Sequence, residues 1–410
     1  MQHIHLNYSG QPVNAEIRLA SSKSESNRAL IIQALSDEEI TLYNLSEARD
    51  TQTMQRLLQS IEPELDVLDA GTTMRFLIAY CAVNSMGKII KGTPRMHQRP
   101  VRILVDALRE IGADIQYLQE EGYPPVHVRG MTLNQEMKHV RMRGDVSSQY
   151  ISALLMIAPK FEHGLLLELI GKVGSRPYIN MTLALMKHFG VPHIWENEQT
   201  IRIEPCSYGS GSYTIESDWS GASYWYSLVA LAESAEVKLL GLRQDSFQGD
   251  QAITDIMKNL GVKTVYENDG VRLTKQDSVQ DFTYNFSDCP DLAQTVAVAC
   301  AAKGVHCVMT GLESLRIKET DRIAALQNEL AKMGAELQEE VGRWKLVPAQ
   351  KEAPYDNLVI ETYDDHRMAM ALAPLVMQSP LTIENPDVVQ KSYPRFWDDL
   401  RIAGVQVTGP

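Results

Sequence analysis

Apolar residues recur at three- and four-residue intervals in five places along the chain, each time followed by a glycine and a short alternating stretch. The segments are VDALREIGADIQYL (105–118), LALMKHFGVPHIW (183–195), TDIMKNLGVKTVY (254–266), QNELAKMGAELQE (327–339) and RFWDDLRIAGVQV (395–407). The spacing predicts a helix with one buried face, then a strand. The glycines, at 112, 190, 261, 334 and 404, suit a left-handed C-cap that turns the chain from one into the other. TMQRLLQSIEPELDVLD (53–69) reads as a sixth, degenerate copy, with Ser60 and Ile61 in place of the glycine step.

Successive glycines lie about 70 to 78 residues apart, beyond the ~20–50 residues of common solenoid repeats. That period suits a compact α/β unit of two helices and several strands, and two groups of three such units make two similar domains. Plain alternation of helix and strand, without a true repeat, is the competing explanation. CSYGSGSYTIESDWSG (206–221) interrupts the pattern near mid-chain and reads as a linker. A second crossing is expected near Ala20 and Ser21, with the N-terminal strand belonging to the later domain.

Composition narrows the function classes. Acidic residues number 52 against 39 Lys plus Arg, a net charge of -13, which opposes a general nucleic-acid binder because phosphate contact needs a basic face. No run of about 18 apolar residues predicts a membrane span, and the N-terminus lacks a basic start followed by an apolar run. The five cysteines, at 81, 206, 289, 300 and 307, are too dispersed for a disulfide scaffold or a zinc set. A cytoplasmic protein is expected.

The chemistry is concentrated at helix beginnings that carry cations, where backbone N–H groups already present partial positive charge. Lys23 and Arg28 lie in SSKSESNRALIIQAL, Arg75 in AGTTMRFLIAYCA, and Arg99 precedes Pro100 in QRPVRILVDAL. Lys318 and Arg322 lie four apart in SLRIKETDRIAALQNEL, Arg367 follows YDDH, and Lys391 precedes the last helix. A single case is explained by a salt bridge to Asp321, Asp364 or Asp365. The recurrence favours an anionic ligand held where helix termini converge.

Hydroxyl-bearing starts accompany the cations. Ser147 serves as a plain N-cap or as a ligand contact, whereas Ser148 and Gln149 have no capping duty and suit a sugar-like ring or its phosphate. Ser175 and Tyr178 follow in GKVGSRPYINMTL, with Tyr178 either core or a flat face beneath a ring. Asp291 stabilises a helix N-terminus or moves a proton, and Glu319 sits between Lys318 and Arg322, which favour its charged form. Neither GxxxxGK[ST] nor a strand-borne GxGxxG is present, so ATP and nicotinamide use are not supported.

The phrases SKSESNRAL, AGTTMRFL, PRMHQRP, DVSSQYISALLMIAP, GSRPYI, KETDR, DDHRMAMALAPL and KSYPRF, in this order from residue 22 to 396, closely resemble the 3-phosphoshikimate 1-carboxyvinyltransferase (EPSP synthase) family. The resemblance implies an α/β fold: a two-domain, inside-out, barrel-like arrangement of six βαβαββ repeats, three per domain. It further implies a discontinuous domain of 1–20 plus 217–410 around a second of 21–216, with the active site in the cleft between them. The implied reaction moves the carboxyvinyl group of phosphoenolpyruvate to the 5-hydroxyl of shikimate 3-phosphate by addition and elimination. It uses no metal or organic cofactor, and the family acts as monomers that the phosphoenolpyruvate mimic glyphosate targets.

Carried over by position, Lys23 matches the lysine touching both ligands, and Ser24 and Arg28 match contacts to shikimate 3-phosphate. Ser147, Ser148 and Ser175 match groups around the 3-phosphate, with Gln149 and Tyr178 along the ring. Gly71, Arg99, Arg322, Arg367 and Lys391 match the phosphoenolpyruvate site, with Arg75 beside it. Asp291 matches the proposed proton acceptor at the ring hydroxyl. Glu319, next to Lys318, matches the proposed donor to the methylene carbon. The sequence departs from the family at Ala20 and Ser21 (usually Pro-Gly), at Asp69 and Asp364 (usually Asn), and at Ser314, where an asparagine contacts the shikimate moiety. Each added carboxylate weakens anion binding unless a nearby cation pairs with it. The stretch between Asp50 and Asp69 is short, which implies a first repeat lacking part of its strands. The sister carboxyvinyl transferase acting on UDP-N-acetylglucosamine is the nearest alternative, but the PRMHQRP block has no cysteine. A noncatalytic anion-binding relative is the alternative from another class.

Overall fold

The computed structural model describes residues 2–132, 138–349, 354–355 and 358–409. The chain divides into two compact units, Ser22–Ile215 and Met1–Ser21 joined with Glu216–Pro410.

The Ser22–Ile215 unit carries six helices: α1 (Lys23–Leu35), α2 (Arg49–Leu58), α3 (Gly71–Val83), α4 (Arg102–Glu110), α5 (Ser148–Ile157) and α6 (Arg176–His188). Strand Glu64–Asp66 pairs parallel with Lys88–Lys91 across α3, and Ala113–Tyr117 and Val126–Met131 follow α4 as an antiparallel hairpin on the same sheet. Lys138–Arg143, Leu165–Ile170, His193–Trp195 and Thr200–Ile203 repeat that βαβαββ plan around α5 and α6. Among the described residues the third sheet has two strands, Gly211–Thr214 parallel to Ile40–Tyr43.

The other unit carries α7 (Trp219–Leu231), α8 (Ile253–Asn259), α9 (Ala293–Lys303), α10 (Arg322–Lys332), α11 (His366–Leu372) and α12 (Phe396–Ile402). Its three sheets each have four strands in the same parallel–antiparallel–antiparallel order. One sheet begins with Val13–Arg18, whose crossover helix α7 arrives only after the whole Ser22–Ile215 unit. Another is completed by His3–Asn7, which lies between Leu381–Glu384 and Gln406–Thr408.

Helix composition decides position. In the Met1–Ser21/Glu216–Pro410 unit the helices α7, α9 and α11 are largely apolar and buried on nearly every side: α7 exposes little besides Ser220, and α9 and α11 pack against it and each other. The second helices α4, α8, α10 and α12 are amphipathic and cover the sheets with one face. The five repeat glycines all have positive φ, from +76° at Gly334 to +107° at Gly112.

One expectation is corrected. Barrel-like closure is not found among the described residues: every sheet is open, with an unpaired edge at either end of its strand order. The short first repeat expected before Asp69 does lack part of the strand set among the described residues. After α2 the chain enters Glu64–Asp66 of the next sheet, and the few residues between Leu58 and Glu64 are too few for a hairpin. The glycine- and serine-rich 206–221 segment is also more than a linker, since it contains strand Gly211–Thr214 and the buried Glu216.

The positive-φ glycines differ in how much they tolerate. A Cβ on Gly112 would stand 2.4 Å from the Thr132 carbonyl oxygen, whereas one on Gly304, also at positive φ, meets nothing within 4 Å. Gly304→Ala is expected to cost about 1–2 kcal/mol, and Gly112→Ala clearly more, because backbone must shift. Urea denaturation of both variants checks this, and equal midpoints would contradict it.

Candidate active site

In the Met1–Ser21/Glu216–Pro410 unit, the buried helices α7, α9 and α11 begin beside one another, and α10 starts at the same place. Asp321 caps α10 by accepting from Ile323 N and Ala324 N, both at 3.1 Å. Asp365 caps α11 by accepting from Arg367 N at 2.9 Å. These caps aim the first side chains of both helices at Asp291, in the 3-10 turn Pro290–Leu292 ahead of α9.

Arg322 is the hub. Its Nε donates to Asp365 Oδ2 at 2.6 Å, Nη1 to Asp291 Oδ1 at 2.9 Å, and Nη2 to Glu319 Oε2 at 2.8 Å. Arg367 Nη2 donates to Asp291 Oδ2 at 3.0 Å, and Lys318 Nζ stands 3.6 Å from Asp291 Oδ1. Burial alone would raise the Asp291 pKa, but Arg367, Lys318 and Arg322 overcome that and hold it far below the usual carboxylate range. Burial lowers the Lys318 pKa, while the carboxylates around Arg322 outweigh its burial and raise its own.

The sequence-derived candidates of this unit thus meet, with two differences of placement. Lys391, almost fully buried, ends the 3-10 turn Pro386–Lys391 that packs on α11. Ser314 is exposed on the turn Glu313–Ile317.

The Ser22–Ile215 unit holds its candidates in separate groups. At the start of α3, Arg75 Nη1 donates to Gly71 O at 2.8 Å and Nη2 to Pro100 O at 3.0 Å. A Cβ on Gly71 would fall 2.7 Å from both Nη atoms of Arg99 and 2.8 Å from Arg75 Nη1, so only glycine lets both guanidinium groups approach this N-terminus. Gln149 Nε2 donates to Thr72 Oγ1 at 2.9 Å, bringing α5 to the same place. Ser147 is the N-cap of α5, accepting from Gln149 N, with Ser148 the first helical residue. Ser175 stands at the N-cap position of α6 with φ +52° and makes no capping bond through its side chain.

Arg28 lies deeper than a surface ligand contact. Its Nε donates to Thr182 Oγ1 at 2.7 Å, Nη1 to Ser24 O at 2.8 Å and Nη2 to Ser152 Oγ at 3.2 Å. Burial lowers its pKa to about 10, which leaves it charged at neutral pH. Its guanidinium faces the Tyr178 and Phe76 rings at 5.9 and 5.4 Å, so Tyr178 carries a cation on its face. Lys23 Nζ donates to Asp50 Oδ2 at 3.0 Å.

Both added carboxylates have partners. Asp69 accepts from Arg49 at 3.1 Å on each oxygen, and Asp364 Oδ1 accepts from Asn385 Nδ2 at 2.8 Å. Sequence reasoning missed Asp50 and left Asp365 as one of several tethers. It also missed Asp250 in SFQGD, a phrase that looks like an ordinary turn into a helix. Asp250 is buried, and burial together with the Asp291 charge pushes its pKa up to about 7. Among the described residues no group of His, Cys, Asp and Glu forms a metal site, and no helix is long and apolar enough to cross a membrane.

Repeated βαβ units with cations and carboxylates gathered at helix N-termini define the class of α/β protein to which the chain is assigned. The chain belongs to the EPSP synthase (3-phosphoshikimate 1-carboxyvinyltransferase) family, whose model matches residues 8–69 and 59–400. A relative from Bacteroides fragilis, named 3-phosphoshikimate 1-carboxyvinyltransferase, is 48% identical over 394 residues, 96% of each chain. One of the same name from Neisseria meningitidis serogroup B is 35% identical, covering 93% of this chain and 94% of that one. The fold matches a solved EPSP synthase from Acinetobacter baumannii with a TM-score of 0.81 over 100% of both chains, at 20% identity.

Three outcomes test this site. Asp365→Ala leaves the nearly inaccessible Arg322 without its Nε partner, and it is expected to cost about 3–5 kcal/mol in denaturant unfolding. Asp69→Ala, removing an exposed pair, costs about 1 kcal/mol or less. For Asp250 the folded pKa lies above the ordinary carboxylate value, so its favourable contribution is complete at acid pH and lost as pH rises through about 7. Wild type is therefore expected to lose more thermal stability than Asp250→Asn between pH 6 and 8. Parallel melting curves would refute this.

Proposed function

We propose that the protein transfers the carboxyvinyl group of phosphoenolpyruvate to the 5-hydroxyl of shikimate 3-phosphate, releasing phosphate. The observation that carries this reading is that Asp291 and Glu319 share one buried guanidinium, at 2.9 and 2.8 Å, within reach of Lys318 and Arg367. Two carboxylates fixed side by side suit a reaction in which one proton leaves an oxygen as another reaches a carbon.

In this reading the 5-hydroxyl oxygen bonds to C2 of phosphoenolpyruvate while Asp291 takes its proton, and Glu319 gives a proton to the methylene carbon. The resulting tetrahedral intermediate then loses the same kind of proton from its methyl group. The C2–O bond to phosphate breaks, and the double bond reforms. Asp291 and Glu319 are poor proton carriers while Arg322 and Arg367 are fully engaged with them. An anionic phosphoenolpyruvate drawing Arg322, Arg367 and Lys391 toward itself relieves that hold and raises their basicity. Gly71, Arg75 and Arg99 serve the same anion. Lys23, Ser24, Arg28, Ser147, Ser148, Gln149, Ser175 and Tyr178 serve shikimate 3-phosphate, and Lys23 touches both. The names of the relatives support this reading, as do the partners that Asp69 and Asp364 find in Arg49 and Asn385.

Phosphate release from phosphoenolpyruvate is expected with shikimate 3-phosphate and not with UDP-N-acetylglucosamine. Asp291→Asn and Glu319→Gln are each expected to lower kcat by about 100-fold or more. Release with the nucleotide sugar alone, or with no acceptor at all, would sink the reading.

A further inference from the structure

We propose that Asp250 is a positioning residue for this reaction, acting through Ser220 to orient Arg367 toward phosphoenolpyruvate. The inference rests on the carboxyvinyl-transfer reading and adds to it a residue that the sequence did not single out.

The loop carrying Asp250 is fastened before it reaches the site. Buried Glu216 accepts from Trp219 Nε1 at 2.9 Å, Arg243 N at 2.8 Å, Ser246 Oγ at 2.6 Å and Gln248 Nε2 at 3.1 Å. Gln248 in turn accepts from Trp219 N at 3.0 Å and donates to Ser217 O at 2.8 Å. The SFQGD loop is thereby locked against the first turn of α7, and Asp250 has no freedom to turn outward.

From there a short relay reaches the reacting groups. Ser220 Oγ donates to Asp250 Oδ2, while the Ser220 backbone N is held by Asp218 Oδ1 at 3.0 Å. The same Ser220 Oγ lies 3.5 Å from Arg367 Nη2, the nitrogen that donates to Asp291 Oδ2. A serine hydroxyl has one proton to give. With that proton committed to Asp250, its lone pairs face the guanidinium as acceptors. Without the carboxylate, the proton is free to turn toward Arg367 and the acceptor is lost. Tyr224 OH, 3.4 Å from Arg367 Nη1, guides the other arm.

A cap or turn needs no buried carboxylate here, and this one is costly. Asp250 faces Asp291 and Asp218, with Cys289 also near, while Arg367 and the Ser220 hydroxyl favour its charge. Its ionisation therefore depends on the guanidinium that it helps to place.

Steady-state kinetics of wild type, Asp250→Asn, Ser220→Ala and the double variant test the relay. Each single change is expected to raise KM for phosphoenolpyruvate about tenfold, the usual worth of a hydrogen bond to a charged group. KM for shikimate 3-phosphate and kcat should stay within about twofold, and the double variant should be no worse than either single one. Additive losses, or a fall in kcat with KM for phosphoenolpyruvate unchanged, would overturn the relay. Calorimetric binding of phosphoenolpyruvate repeats the comparison without turnover. Wild type that binds it but does not turn over defeats the transfer reading and leaves the relay to be judged on the variants' affinities. Wild type that neither binds nor turns over defeats both.

Discussion

One buried guanidinium organises the Met1–Ser21/Glu216–Pro410 unit. Arg322 is about 2% exposed, and taking a full positive charge out of water costs several kcal/mol unless every donor is met. Asp365, Asp291 and Glu319 meet them, and each belongs to a different piece of chain. Asp365 also caps α11, Asp291 precedes α9, and Glu319 lies just ahead of the α10 start. Satisfying one side chain therefore fixes three helix beginnings relative to one another. The carboxylates proposed to move protons are the ones that solvate that charge.

The other unit solves a similar problem differently. Arg28 also ties helices together, joining α1 to α5 and α6, but its partners are two hydroxyls and a backbone carbonyl, with aromatic faces beside it. Those direct partners are neutral, with Glu25 the carboxylate whose charge favours it, and Arg75 and Arg99 at the start of α3 donate to the carbonyl oxygens of Gly71, Pro100 and Asp69. Cations set among hydroxyls and carbonyls at helix starts suit the retention of phosphate groups, whereas closely matched charges suit proton transfer. The proposed division of labour follows from that difference in partners.

The repeat was legible because it is local physics. Helix spacing and a residue at positive φ are both written in neighbouring positions, and all five glycines adopt that conformation. The missing strands were legible too, in the shortness of the chain before Asp69. The cations at helix starts announced an anion site because that pattern breaks an ordinary rule. The identity of their partners was not legible. Asp365 and Asp364 are adjacent and alike in sequence, yet one is buried against Arg322 and the other is exposed beside Asn385. Asp250 looks like any turn carboxylate until the loop locked by Glu216 is folded. At 206–221 composition marked where the two units divide but not the strand and the buried carboxylate that the same residues supply.

The two added carboxylates show how a site absorbs a change of charge. At Asp69 the chain supplies Arg49 from the first turn of α2, which donates to both carboxylate oxygens, while Arg99 Nη1 donates to the Asp69 backbone carbonyl. At Asp364 the compensation is a neutral amide. Asp364 and Asn385 both stand at positive φ, +53° and +46°, a conformation that Asn and Asp tolerate better than most residues. Their side chains bridge the loop leading to Arg367 and the one leading to Lys391. An amide at 364 would make the same bridge, so the charge there is incidental and the hydrogen bond is what the site requires. In both places the new charge is spent outside the cluster, and Arg322, Arg367 and Lys391 keep their surroundings.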